Sequence, residues 1–160
     1  MEHIVFDIES NNEIWELIDK RFEHILIHKF NPHDTIEWYE ADLKISNLDL
    51  KNIQVRNMEF DFLTNLEGLK EIINLNTNFL RIYQFNKPVA DTLVIENLPE
   101  HSKDVILMNN GFKSSFFIDF EVLTISSFDL EYITMIKNNS LFSKRIEERR
   151  INIKNNLNTK

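Results

Sequence analysis

ADLKISNLDLKNIQVRNMEFDFL, residues 41 to 63, contains a five-residue repeat from which the fold is predicted. Divided into fives, it reads ADLKI, SNLDL, KNIQV, RNMEF and DFL, with an apolar residue third in every block and another fifth in the first four. Neither a helix nor a long flat strand keeps these two positions on one face. A chain that turns a corner every five residues does keep them together, so the pattern predicts a solenoid coil.

Fragments of this repeat return later in the chain. DTLVIEN (Asp91–Asn97) holds apolar residues at the same two positions, and EVLTI, SSFDL and EYITM (Glu121–Met135) add three more blocks. Weak alternation of apolar residues from His3 to Ile8 predicts a short strand. Helical spacing predicts three helices, from Glu13 to about Lys29, from Thr64 to Ile73 and from about Leu130 to Ile136. Ser127, with Asp129 and Glu131, can cap the last of them. The expected fold is therefore α/β: a short, irregular parallel-β solenoid with an N-terminal amphipathic helix and a C-terminal helical cap.

Length and composition bound the class of protein. The chain has 160 residues and no cysteine, which fits one domain in a reducing compartment. Residues 1–150 are expected to form that domain, and residues 151–160 a frayed tail. The start, MEHIVFDIES, lacks the features of a secretory signal, and no apolar run is long enough to span a membrane. We therefore expect a cytoplasmic protein without a membrane partner.

The chain contains two glycines, Gly68 and Gly111. Phosphate-binding loops and dinucleotide fingerprints need clustered glycines, because the backbone must approach the phosphate closely. Enzymes that depend on such motifs are poor candidates, and no cofactor is expected.

Charge is unevenly distributed along the chain. The net charge is −8, but residues 143–160 carry six Lys and Arg against Glu147 and Glu148. The rest of the chain is therefore more acidic than the total. An acidic body repels nucleic acid and attracts a basic protein partner, although acidic surfaces also simply maintain solubility.

The segment NPHDTIEWYE (residues 31–40) places two large aromatic side chains among carboxylates. Trp and Tyr are common anchors of interfaces, and acidic neighbours suit a cationic partner; equally, both rings could pack on the core. The candidate partner-binding residues are Glu37, Trp38, Tyr39, Glu40, Asp42, Asp49 and Glu59.

The blocks ADLKI, SNLDL, KNIQV and RNMEF resemble the pentapeptide-repeat family, whose repeat favours Ala, Asp or Asn followed by a central Leu or Phe. The wider spacing of the fragments looks more like leucine-rich repeats. Lys51 and Arg56 depart from the pentapeptide pattern. The resemblance implies a solenoid that binds proteins, and some pentapeptide-repeat proteins are acidic DNA mimics. In general type, the small acidic chain also looks like bacterial toxin-immunity proteins.

A second resemblance concerns carboxylates. VFDIES (Val5–Ser10) is similar to the first motif of DEDD-type 3′–5′ exonucleases, and NMEFDFL (Asn57–Leu63) looks like their second motif. The resemblance implies two Mg²⁺ ions held by Asp7, Glu9 and Asp61.

His24 and His28 are four residues apart on the predicted N-terminal helix. This spacing suits a pair of metal ligands, or two histidines at the boundary of an apolar face. No metal site is predicted from them.

The function expected from the sequence is binding without catalysis. The protein would be an immunity protein that neutralises a basic, nuclease-type bacterial toxin by occluding its active site, without itself contacting nucleic acid. A DEDD-like exonuclease and a DNA-mimic regulator of a DNA-handling enzyme are the alternatives. The sequence leaves the oligomeric state open.

Overall fold

One antiparallel sheet of seven strands is the centre of the structure, a computed structural model that describes residues 1–28, 44–45, 48, 51–56 and 61–158. The strands are β1 (Glu2–Asp7), β2 (His24–His28), β3 (Gln54–Arg56), β4 (Asp61–Thr64), β5 (Phe79–Phe85), β6 (Phe112–Asp119) and β7 (Val122–Ser127). Their order across the sheet is β1-β7-β6-β5-β2-β4-β3. The helices within the described ranges are α1 (Asn12–Leu17), α2 (Leu66–Ile73), α3 (Lys103–Asn109), α4 (Leu130–Asn138) and α5 (Ser140–Asn158).

The expected α/β parallel solenoid is wrong. Strand β3 pairs with β4 in antiparallel register, Val55 opposite Phe62, so the described end of the 41–63 stretch belongs to an antiparallel sheet. Every other neighbouring pair of strands is antiparallel as well. The fragment at 91–97 contains a 3₁₀ turn at Ile95–Asn97, and most of residues 41–50 lies outside the described residues.

The blocks at 121–135 show why the repeat misleads. They span β7 and then α4, and the apolar period is two in a strand but 3.6 in a helix. Placed end to end, these two periods imitate a period of five. Leu123 and Ile125 are buried as the repeat requires, whereas Leu130 and Met135, at equivalent positions, are 58% and 62% exposed.

A row of apolar side chains crosses the whole sheet on one face. Successive register partners make up this row: Ile4, Ile125, Phe116, Ile82, Ile27, Phe62 and Val55. All but Val55, at the β3 edge, are buried in the main core with residues of α1, α2, α4 and α5. Burial of this row against the helices is the main stabilising contribution that the sequence provides.

The opposite face of the sheet is covered over its centre by the segment between β5 and β6. Leu26, Tyr83 and Phe85 pack there against Leu93 and other apolar residues of residues 89–107. Strands β2 and β5 are therefore buried on both faces, which explains the uninterrupted apolar run Ile25–Ile27.

The run Ile25–Ile27 also explains why the prediction of one long N-terminal helix is wrong. Helix α1 ends at Leu17, because Ile18 adopts an extended conformation with ψ 131°. The chain then forms β2, the strand between β5 and β4. Three consecutive apolar residues suit a strand buried on both faces, and here they override the helical spacing of the residues before them.

The C-terminal region is helical through Asn158, where a frayed tail was expected from residue 151. Helix α5 is fixed to the N-terminal region by ion pairs: Arg145 lies 2.7 Å from Glu13, and Arg149 lies 2.9 Å from Asp7. Two of the basic residues in this region therefore neutralise the protein's own carboxylates. Among the described helices, none has the length and apolar character needed to cross a bilayer.

Candidate functional site

The seven candidate partner-binding residues lie outside the described residues. These are Glu37, Trp38, Tyr39, Glu40, Asp42, Asp49 and Glu59. Their role stays a prediction from the sequence. The candidate sites described below are therefore built from other residues.

The three carboxylates of the exonuclease resemblance do not come together. Asp7 ends β1 at one edge of the sheet, and Asp61 begins β4, with four strands between them. At about 4.8 Å between neighbouring strands, their backbones are separated by roughly 24 Å. Two-metal sites hold their ions about 4 Å apart, so Asp7 and Asp61 cannot share one.

Asp61 is instead the centre of a buried ionic cluster. Its Oδ1 lies 2.7 Å from Nδ1 of His28 on β2, and its Oδ2 lies 3.7 Å from Nε of Arg56 on β3. The three side chains are 1%, 3% and 8% exposed. Strand register produces the cluster, because Asp61 is the direct partner of both His28 and Arg56.

His24 and His28 are therefore not a pair of metal ligands on one helix. His24 and His28 are on a strand, where four residues span roughly 13 Å, too far for one ion. Among the described residues, no group of three or more His, Asp or Glu is arranged to hold a metal.

Arg56 extends the cluster to the segment that covers the second face. Its Nη1 donates to the carbonyl of Ala90 at 3.1 Å, and its Nη2 donates to the carbonyl of Leu93. A charged donor to backbone carbonyls is a strong hydrogen bond. The cluster thus joins three strands and their covering segment, and its depth suits a structural role.

Tyr83 lies beside this cluster, its ring edge-on to the His28 ring at 6.4 Å between centroids. It is 2% exposed, and its hydroxyl has no hydrogen-bond partner among the described residues. Burial, with a smaller contribution from Asp61, raises the pKa of Tyr83 to about 12. Burial likewise raises the pKa of Tyr132, whose hydroxyl donates to the carbonyl of Leu17.

We expect the free energy of unfolding to fall as the pH rises from 10 towards 12. In this window Tyr83 keeps its proton in the folded protein but loses it in the unfolded chain, so ionisation favours unfolding. Two pKa units correspond to about 3 kcal/mol. Urea unfolding at pH 8 and at successive alkaline pH values measures this loss.

Tyr83→Phe is the matched control. It removes a hydroxyl without a partner among the described residues, so we expect little cost at pH 8. The alkaline loss should become smaller, with the remainder due largely to Tyr132. An unchanged pH dependence in Tyr83→Phe would contradict this origin.

A surface groove lies where the end of α1 meets the start of α4. Its main cavity has a volume of about 480 Å³ and is lined by residues 16–21 together with Asp129, Glu131, Tyr132 and Met135. A cavity of about 400 Å³ adjoins it through Glu131 and Met135, and one of about 270 Å³ adjoins it through Asp129. We call these three cavities together the α4 groove.

The α4 groove combines apolar and acidic side chains. Leu130 and Met135 are 58% and 62% exposed, and Met108 at the far end is 54% exposed. Exposed methionines adapt their shape to a partner and are frequent at binding surfaces. Large apolar side chains that cluster at a cavity indicate a contact surface.

Carboxylates outnumber cations around the main cavity. Asp19 binds Arg21 through both oxygens, at 2.7 Å for the shortest contact, and this hydrogen bonding lowers the pKa of Asp19. Asp129 caps α4 by accepting from the backbone amide of Tyr132, and lies 3.7 Å from Arg21. Glu16 and Glu131 make no ion pair within the described part of the chain. Lys20 and Arg21 also line the main cavity, so four carboxylates against two cations leave it a formal charge of −2, and Lys113 lines the adjoining cavity.

Of the features that form the α4 groove, the sequence predicted only helix α4 and its cap. The capping residues before α4 were predicted, and Asp129 does cap that helix. The meeting of α1 and α4 depends on the pairing of β1 with β7 and on Tyr132 contacting Leu17, which no local pattern shows. The exposure of Met135 could have been found from the helical period of α4, which places it away from Ile133 and Ile136. Leu130 lies one turn before the buried Ile133, so its exposure shows only in the structure.

Comparison with known protein families, with curated proteins and with solved structures finds no match to this chain.

Proposed function

We propose that the protein is a non-catalytic binding module whose α4 groove takes a basic surface of a partner protein. The observation that carries the proposal is the set of exposed apolar residues in a groove whose main cavity has a net negative charge, Leu130 and Met135 beside Glu16 and Glu131. Apolar anchors supply binding free energy, and complementary charge accelerates association.

We further propose that the partner is a basic nuclease-type toxin domain, which the protein would neutralise in the cytoplasm by occlusion. The net charge of −8 supports a cationic partner. Two of the basic residues of α5 are bound to Asp7 and Glu13, which leaves less positive charge to oppose such a partner. The acidic and aromatic residues predicted from residues 37–59 would extend this contact.

The test is charge reversal in the groove. We expect Glu16→Lys with Glu131→Lys to slow association with basic nuclease-toxin domains about tenfold or more at low salt, because like charges then face each other. Binding kinetics and nuclease inhibition are measured against a panel of such domains.

Glu67→Lys with Glu71→Lys is the matched control. It makes the same change in net charge on exposed residues of α2, and Glu67, like Glu131, lies in the first turn of its helix. Neither residue lines the described groove. Equal losses in both double variants would show that net charge acts rather than the groove. No binding or inhibition of any domain in the panel would overturn the toxin proposal.

A further inference from the structure

Helix α5 extends beyond the sheet that it packs against. It follows Lys137, whose ammonium lies 3.2 Å from Glu2 at the start of β1, and its Arg149 reaches Asp7 at the end of β1. The helix continues to Asn158, and every residue from Arg150 to Asn158 is exposed. At 1.5 Å per residue, about 12 Å of helix lies past the sheet. We call Arg150–Asn158 the overhang.

The overhang continues the apolar side of α5. Phe142 is buried and Ile146 packs against the core, and Ile153 and Leu157 follow at helical spacing on the same side. Ile153 is 49% exposed and Leu157 is 70% exposed. The side of α5 that packs against the core at Phe142 and Ile146 is thus open to solvent at Ile153 and Leu157.

Charge distinguishes the overhang from the rest of the protein. It carries Arg150 and Lys154 and contains no carboxylate. Neither cation makes an ion pair within the described residues. An apolar stripe flanked by cations complements the α4 groove in both properties, since the groove has apolar side chains flanked by carboxylates.

The overhang cannot reach the groove of its own chain. The groove is at the end of the sheet where Ser127 pairs with Glu2, since Asp129 follows β7 directly. The overhang leaves at the opposite end, where Val122 pairs with Asp7. The length of β7 separates these ends by roughly 17 Å, and α5 runs from the groove end towards the other.

We propose that the overhang of one copy docks in the α4 groove of a second copy. Arg150 and Lys154 would face Glu16 and Glu131, and the apolar side chains of the overhang would cover those of the groove. Because two different surfaces meet, the contact either repeats head to tail or forms twice in a two-fold dimer in which each overhang enters the groove of the other copy. One short helix buries less than the roughly 1,200 Å² at the lower end of stable interfaces, so the association is weak and falls with salt.

This inference rests on the same groove as the proposed function. A basic partner and a second copy would compete for it, so partner binding would dissociate the self-assembly. It does not depend on the partner being a toxin.

Sedimentation analysis of two neutralised variants tests the proposal. The groove variant is Glu131→Gln with Met135→Gln, and the overhang variant is Lys154→Gln with Leu157→Gln. All four residues are exposed, so neither variant should perturb the fold. We expect the wild-type protein to form dimers or larger oligomers as its concentration rises, and each variant alone to sediment as a monomer.

The equimolar mixture of the two variants is the decisive sample. Each variant keeps one intact half of the contact, so the mixture should form one-to-one dimers that cannot grow further. A wild-type protein that is monomeric at every concentration, or a mixture without dimers, would overturn the proposal. If the overhang variant is monomeric while the groove variant still assembles, the proposal is also overturned, since that result means that two overhangs pair with each other.

The result also separates the two proposals that share the groove. The overhang variant keeps the groove, so it should bind a basic partner as the wild-type protein does. If self-assembly is absent while Glu16→Lys with Glu131→Lys still slows association with the partner, this inference fails and the proposed function stands. If the mixture dimerises but no basic domain binds, this inference stands and the proposed function fails.

Discussion

Asp61→Ala should lower the free energy of unfolding by about 3–5 kcal/mol, because it leaves the buried His28 ring without its partner and the buried Arg56 without its counterion. His28 on β2 and Arg56 on β3 lie on either side of β4, and would then face each other across it without the carboxylate between them. A loss of this size lowers the melting temperature by about 10 °C or more for a chain of this length. Urea unfolding at neutral pH measures it directly.

Asp91→Ala is the control for this prediction. Asp91 is exposed and makes no ion pair within the described residues, so its loss should change stability by about 0.5 kcal/mol or less. Asp61→Asn keeps the shape of the side chain but loses its charge, and should fall between the two. If Asp61→Ala and Asp91→Ala unfold at the same urea concentration, the cluster is not the buried ionic centre that its exposure indicates.

Phe116→Ala should cost about 3–5 kcal/mol, because it opens a cavity in the middle of the apolar row that crosses the sheet. Phe116 is fully buried on β6, between its register partners Ile82 and Ile125. The cavity would lie between the sheet and its helices, where neighbouring side chains are fixed by close packing. Chemical denaturation measures the loss, and an unchanged slope against denaturant would show that the fold is retained.

Phe120→Ala provides the comparison within the same region. Phe120 lies in the turn between β6 and β7, is 52% exposed and contacts the ring of Phe79 at 4.8 Å between centroids. Its removal should cost about 1 kcal/mol, mainly the aromatic pair. A loss at Phe120 equal to that at Phe116 would contradict the placement of the core on the helical face.

The sequence predicted those elements whose signals are local. Strand β1 was expected from alternation at residues 3–8, and α2 and α4 were expected from helical spacing; all three are confirmed. The cap of α4 at Asp129 is confirmed too, since a short acidic side chain before a helix acts within one turn.

The parts that failed depend on contacts distant in sequence. Whether Ile25 to Ile27 form a helix or a strand depends on the neighbours β4 and β5, which come after residue 60. Asp61 suited both a solenoid corner and a metal site in the sequence, and its partner His28 could be identified only from the register of two strands. Tertiary pairing overrides local propensity at such positions. The α4 groove was missed for the same reason, since its two walls are joined by the pairing of β1 with β7.

The pairing of β1 with β7 also sets the order of events when the chain is made. Glu2 finds its partner at Ser127, and β1, at the edge of the described sheet, has β7 as its neighbour there. At about 5–20 residues per second, a ribosome needs roughly 6–25 s to synthesise the chain between them. During that time Ile4 and Phe6 remain without their final strand partner, and closing so long a loop makes folding slow. Strand β1 therefore emerges before the other described strands but pairs only after β7 has been made, and chaperone protection of Glu2–Asp7 should matter most for the newly made protein.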